Sequence, residues 1–242
     1  MAILHVQGGI SADGTGTATT TVALTLSGIG VGNSVCGAVS YDSSGGATIT
    51  SVKDNKGNTY TLGDTVNDAG NNQALTSFYL IGATNGPSTI TATISVAVTF
   101  RRILADEFSG ITVNDGHTGQ FQAAPGTGTN AISSGSITPT ASGDLIYGAT
   151  VNTNGATGAN FTAGTGYTLQ QSGATTDLLN MASESQVQSV AAAISATFTR
   201  AVAGTVCTTV MAFKVAPAPT SVTPGGWQSF GNIVRKTTAI GY

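Results

Sequence analysis

Apolar residues and Thr, Ser and Asn fall along most of the chain into short runs rich in β-branched side chains, several of which alternate at a period of two. That period puts successive side chains on opposite faces of an extended backbone and predicts strands rather than helices. In the first half the runs are TATTTVALTL (17–26), SVCGAVSY (34–41), ATITSVK (47–53), NTYTL (58–62), ALTSFYLI (74–81), STITATISVAVTF (88–100) and RILADEF (102–108). In the second they are SITPT (136–140), DLIYGATV (144–151), YTLQQ (167–171), LLNMASESQV (178–187), VAAAISATF (190–198) and TVCTTVMAFKV (205–215). Gly, Asn, Asp or Pro punctuates most of the joins. The run QVQSVAAAIS passes for a helix by propensity, but it lies between strand patterns and is read as strand.

The second list repeats the first. VGNSVCGAVSYDSSGGA (31–47) aligns with SGDLIYGATVNTNGA (142–156), placing Cys36 opposite Tyr147 and Gly37 opposite Gly148. Two halves of roughly a hundred residues suit either two small sandwiches or two sheets around one shared core. The low aromatic content, 6%, favours sharing. The expected organisation is an N-terminal arm (1–16), a first β half (17–113), a linker loop (114–135), a second β half (136–215) and a C-terminal arm (216–242).

Charge changes the picture. Only 8% of residues are charged, against about 25% in an ordinary soluble domain. A surface of Thr, Ser, Asn and Gly suits a particle-exposed or extracellular protein. The net charge of −3 steers the chain neither to nucleic acid nor to an acidic membrane. The start, MAILHVQGGISADG, has no cationic segment followed by an apolar run, and no stretch reaches the roughly 18 apolar residues of a membrane span. An exposed-type surface without an export signal predicts a phage virion protein, assembled in the host cytoplasm.

SVKDNKGNTYTL (51–62) has the polar density of a binding loop. A calcium loop needs several carboxylates at fixed steps, and Asp54 stands alone. Asp54-Asn55-Lys56-Gly57-Asn58 lies between alternating runs, where a turn with glycine at positive φ belongs. The stretch is read as a corner.

The series GNSVCGAVSYD, TITSVKDNKGNTYTL, ILADEFSGI, ITPTASGDLIYGATV and FTAGTGYTLQ resembles a β-sandwich module, jelly-roll or immunoglobulin-like, of phage virion and bacterial surface structural proteins. The likeness spans about residues 18–215, and its motifs are turns and core positions. It implies a jelly-roll-like β-sandwich; with the internal repeat and the tail, the expected fold is all-β, an antiparallel β-sandwich with an internally duplicated half and a C-terminal extended arm. It also implies a structural role without catalytic residues. Glu107-Phe108-Ser109-Gly110 matches the module's E-[FY]-S-G.

Catalytic and cofactor signatures are missing from the sequence: no G-x-S-x-G, H-E-x-x-H, phosphate loop or zinc spacing occurs. GTGTNA (126–131) opens a polar Ser/Gly stretch rather than a helix, which argues against dinucleotide binding. Asp106 and Glu107 are neighbours on one strand and should face opposite ways, unlike a glycosidase pair. His117 reads as a solvated loop histidine, and Cys36 and Cys207 as buried thiols, with a bridge between them undecided. No cofactor, metal or catalytic residue is expected. The stretches DTVNDAGNNQ (64–73) and NTNGATGANFTAGTG (152–166) offer Asp and Asn to a glycan, but only Phe161 and Tyr167 lie in or beside them as an aromatic face, so plain solvated loops are the favoured reading.

After Val215 comes the spacer APAPTSVTPGG, then WQSFGNIVRKTTAIGY, which holds the only Trp. Trp227, Phe230, Ile233, Val234, Arg235, Lys236 and Tyr242 are the candidate partner-binding residues of an arm that docks on a neighbour, the favoured reading over a core segment that follows a spacer. The expected role is a non-enzymatic virion structural protein, most concretely a capsid decoration (cement) protein, a homo-oligomer that contacts the major capsid protein or other virion proteins. A tail or fibre module binding a host glycan and a bacterial surface adhesin domain are the alternatives.

Overall fold

The alternating runs pair into a repeated pattern. The structure, a computed structural model, describes residues 2–123, 131–158 and 160–217. Its strands are β1 (Leu4–Ile10), β2 (Thr19–Thr25), β3 (Ser34–Asp42), β4 (Ile49–Asp54), β5 (Thr61–Asp68), β6 (Gln73–Leu80), β7 (Thr89–Val98) and β8 (Arg101–Ser109). There follow β9 (Ile111–Gln122), β10 (Ile132–Ser133), β11 (Leu145–Asn152), β12 (Phe161–Ala163), β13 (Thr168–Ser172), β14 (Met181–Val187), β15 (Thr197–Arg200) and β16 (Val206–Val215). One 3-10 turn, Ser44–Gly46, is the only helical element among the described residues.

The strands form a five-stranded sheet β1-β8-β3-β6-β5 with a three-stranded partner β2-β7-β4, then β9-β16-β11-β14-β13 with β10-β15-β12. Each strand of the second set sits where the strand eight places earlier sits in the first, and all the strand pairings are antiparallel. The order 1-8-3-6 facing 2-7-4 is that of an eight-stranded jelly roll. The fifth strand has moved: the chain leaves β4 with Tyr60 N–H still bonded to the Val52 carbonyl, then pairs along β6.

Three cores stack between four layers. Val35, Val39, Tyr41, Phe78 and Ile103 face β2, β4 and β7 in the first core. Ile146, Val210, Phe161 and Phe198 fill the equivalent space in the second unit. Between the two five-stranded sheets, Cys36, Leu75, Leu104 and Phe108 meet Leu145, Tyr147, Met181, Met211 and Phe213. Odd and even residues of β3 and β11 thus serve different cores, which is why both strands are buried almost end to end. The duplication stands, and each half has a sandwich core of its own in addition to the shared one.

Four stretches differ from the sequence expectation. Residues 4–10 form strand β1 rather than an arm, and β9, residues 111–122, runs from the end of the expected first half through 114–122 of the expected linker loop. Both are edge strands in which Ile111 is the only buried residue, so neither carries the apolar alternation that a strand with one buried face shows. Residues 64–68 belong to β5, leaving only 69–72 as loop. Residues 188–196 are mostly irregular, touching strand geometry where Ile194 bridges Ile137.

Candidate functional site

The corner at 51–62 is built by one carboxylate. Asp54 Oδ1 accepts the Lys56 and Asn58 backbone N–H groups at 2.9 and 3.0 Å, and Oδ2 accepts Asn58 Nδ2 at 2.8 Å and Tyr60 Oη at 3.4 Å. Gly57 takes φ +89°, a region that residues with a Cβ rarely visit. Burial, then the Asp54 charge, pushes the Tyr60 hydroxyl far above its usual range. The D-x-x-G-N-x-Y pattern is a turn closed on Asp54, and its Asn55 and Asn58 side chains also bond Thr84, Ser88 and Thr89 of the neighbouring segment.

Asp106 and Glu107 point opposite ways, as adjacent strand residues must. Glu107, fully buried, accepts Gln7 Nε2 at 2.6 Å, the Gly30 N–H at 2.8 Å and Asn33 Nδ2 at 2.5 Å, so the G-N and E-F-S-G motifs meet there. Asp106, also fully buried, faces the second unit. Its Oδ2 accepts Tyr147 Oη at 2.8 Å and Ser183 Oγ at 2.6 Å, and its Oδ1 meets Gln171 Nε2 at 2.9 Å and His5 Nε2 at 3.1 Å. Ser, His and Asp are thus together, yet both Ser183 and His5 bond the carboxylate, and Ser183 is fully buried. A nucleophile needs its base on the hydroxyl and a route to substrate. This cluster ties two sheets together.

Other ionisable groups also link elements. His117 is exposed, as expected, but it lies on β9 rather than in a loop and pairs through Nδ1 with Asp64 Oδ2 at 2.5 Å, joining the two units. Cys36 and Cys207 are free, buried thiols of the shared core, and burial pushes Cys207 up to about 12. Asp144 replaces Asn33 in the second unit. Burial, helped by neighbouring Asp115, pushes its carboxyl up to about 6. Burial also acts on Asp115, but Thr140 and Lys214 outweigh it and hold that carboxyl at about 2. Arg102 closes on Asp177 at 2.6 Å and on the Leu179 carbonyl at 2.9 Å, so the basic pair Arg101-Arg102 serves the fold.

One groove, about 270 Å³, opens at the seam between the units, lined by Asn71, Gln73, Phe100, Thr153, Asn154, Gly155, Leu178 and Leu179. It unites the two polar loops marked in the sequence. The seam beneath is tightly held: Asp68 Oδ2 accepts Thr153 Oγ1 at 2.6 Å and Asn71 Nδ2 at 2.7 Å, and Asp13 accepts the Leu178 N–H at 2.7 Å. Burial raises the Asp68 carboxyl, but the hydrogen bonds from Thr153, Asn71 and Thr205 prevail and hold it below its ordinary value. Phe161 is buried, and Tyr167 is half-buried with its hydroxyl on the Ser195 carbonyl. The exposed aromatic comes instead from Phe100, 38% accessible in the β7–β8 reversal. Sequence reasoning missed it because it closes a run of strand pattern.

The arm residues Trp227, Phe230, Ile233, Val234, Arg235, Lys236 and Tyr242 lie outside the described residues. No group of three or more His, Cys, Asp or Glu side chains suited to a metal occurs among the described residues. No family model, curated protein or solved structure matches the chain.

Proposed function

We propose that this chain is a non-enzymatic structural protein of a phage virion, a capsid decoration protein that adds protein–protein contacts to a shell. The observation that carries the reading is the four-layer stack, in which three cores and a buried hydrogen-bond hub bind the tandem units into one block. Such a block suits a load-carrying part better than a machine with a moving lid. Jelly rolls recur in capsids and lectins, an analogy of fold alone. In this reading the arm of residues 217–242 reaches a neighbouring subunit, with Trp227 and Phe230 as anchors.

A second reading, a tail or fibre module that binds a host glycan, is favoured by the groove at the seam. Antibodies raised against the purified chain, applied to virions of the phage that encodes it and imaged by electron microscopy, separate the two. Label over the shell supports decoration, label on the tail supports the second reading, and unlabelled intact virions overturn both.

A further inference from the structure

The seam groove is where polar side chains from both units meet open space, and its chemistry is specific. Phe100 and Leu178, 38% and 40% accessible, give it an apolar wall, while Asn71, Gln73, Thr153 and Asn154 give it neutral polar groups. We infer that this groove binds a neutral pyranose ring, one sugar unit of a glycan, with the ring's C–H face against Phe100 and its hydroxyls on the Asn and Gln amides. The site does not depend on whether the protein sits on a shell or a tail.

Size comes first. About 270 Å³ lies just below the roughly 300–1,000 Å³ of pockets for drug-sized ligands, so a single ring is the fitting load. Shape and polarity agree. The C–H face of a sugar ring is apolar and faintly positive, matching the electron-rich face of an aromatic ring.

The amides are pre-set. Asn71 donates through Nδ2 to Asp68 at 2.7 Å and Thr205 at 3.1 Å, and Gln73 donates through Nε2 to Ser40 Oγ at 2.7 Å. Each therefore keeps a carbonyl oxygen as acceptor, in an orientation fixed before any ligand arrives. Asn154 takes the Ala156 N–H on Oδ1 at 3.3 Å and keeps Nδ2 as donor. Fixed donors and acceptors side by side suit a vicinal diol, whose hydroxyls both give and take.

Charge decides against acidic sugars. None of the lining residues is ionisable. Arg102 is already closed on Asp177 and the Leu179 carbonyl. Asp68, ionised at neutral pH behind Asn71 and Thr153, repels a carboxylate.

The test is saturation-transfer NMR on the full chain with the methyl glycosides of galactose, glucose and N-acetylglucosamine, and methyl glucuronide as the anionic probe. At least one neutral glycoside should give ring-proton signals with a millimolar Kd, and Phe100→Ala should weaken it about tenfold or more. Asn154→Ala should also weaken it, whereas Phe121→Ala, an equally exposed aromatic on β9, should not. The proposal fails if no neutral glycoside binds up to about 10 mM, if the glucuronide binds best, or if binding survives Phe100→Ala. Should Phe100→Ala not fold, exposed Asn154 decides: unchanged binding in Asn154→Ala overturns the site.

Discussion

The hydroxyl of Tyr147, on β11, donates a 2.8 Å hydrogen bond to the carboxylate of Asp106, on β8, across the face where the two jelly rolls meet. Both residues are fully buried, and Ser183, Gln171 and His5 complete the carboxylate's shell. Removing one partner of a buried charged cluster typically costs about 3–5 kcal/mol, because the remaining groups stay desolvated and unpaired. Asp106→Ala should therefore lower unfolding stability by about that much, and Tyr147→Phe by about 1.5–3 kcal/mol. Urea denaturation measures both. A loss below 1 kcal/mol for Asp106→Ala would show that the hub does not hold the units together.

Stability should fall as pH rises from the ordinary carboxylate range toward neutrality. Burial pushes Glu184 from 4.5 to about 7, although the Gly164 and Thr197 N–H groups favour its charged form. The folded state thus keeps a proton that the unfolded state has released between those values. Its contribution is full below the unfolded value and is gone above about 7, a difference of at most about 3 kcal/mol. Asp144, raised from 3.8 to about 6, acts in the same direction. Asp115, held at about 2, acts in the opposite direction and only in strong acid, losing its contribution as pH falls from 3.8. Melting curves from pH 4 to 8 should show the decline in the parent chain and a shallower one in Asp144→Asn. A flat profile for the parent would refute the assignment.

The paired glycines Gly37 and Gly148 should resist substitution unequally. A Cβ on Gly37 would collide with the Phe78 ring and come within 2.5 Å of the Leu104 carbonyl oxygen, which belongs to a paired strand and cannot move aside. On Gly148 it would meet the Ala196 methyl, in the irregular segment just before β15. Overpacking costs about 1–3 kcal/mol and sometimes more. Gly37→Ala should fall at or above the top of that range and Gly148→Ala lower, a ranking that thermal melts can reverse.

Much of this was legible in the sequence, for physical reasons that also mark its limits. Short apolar runs between turn residues marked β3 and β11, and the alignment of Gly37 with Gly148 located the repeat. The opposed directions of Asp106 and Glu107 followed from strand geometry alone. Edge strands β1 and β9 were lost because nearly all their residues are at least partly exposed, so no buried face imposes alternation on them. Phe100 was lost because a turn of two residues, Thr99 and Phe100, separates β7 from β8 inside one unbroken pattern. The groove is a contact of sequence-distant loops, which no local pattern encodes.

The corner at Asp54 is stiffer than its polar sequence suggests. As a surface residue, Asp54→Asn would change stability by less than about 1 kcal/mol. Asp54 is instead buried and accepts four hydrogen bonds. An Asn there keeps one acceptor oxygen and turns an NH2 toward Asn58 Nδ2, so about 1–2 kcal/mol is expected. Gly57→Val should cost at least as much, since a β-branched residue resists φ +89°. Neither variant should alter the response of the melting temperature to calcium. A calcium-dependent melt that vanishes in Asp54→Asn would replace the corner with a metal loop.

A chain ending at Pro217 should fold without the last 25 residues. The duplicated unit is closed by β16, and Ala216 N–H already bonds the Gly110 carbonyl where the two units join. Buried aromatic anchors often carry about 2 kcal/mol or more each at an interface. Deleting residues 218–242, or the double change Trp227→Ala and Phe230→Ala, should therefore leave the circular dichroism spectrum and melting temperature near those of the parent. Assembly in size-exclusion chromatography, or binding to shells lacking the protein, should be lost. Unfolding of the truncated chain would place the tail in the core. A truncated chain that folds and still assembles fully would end the case for an arm.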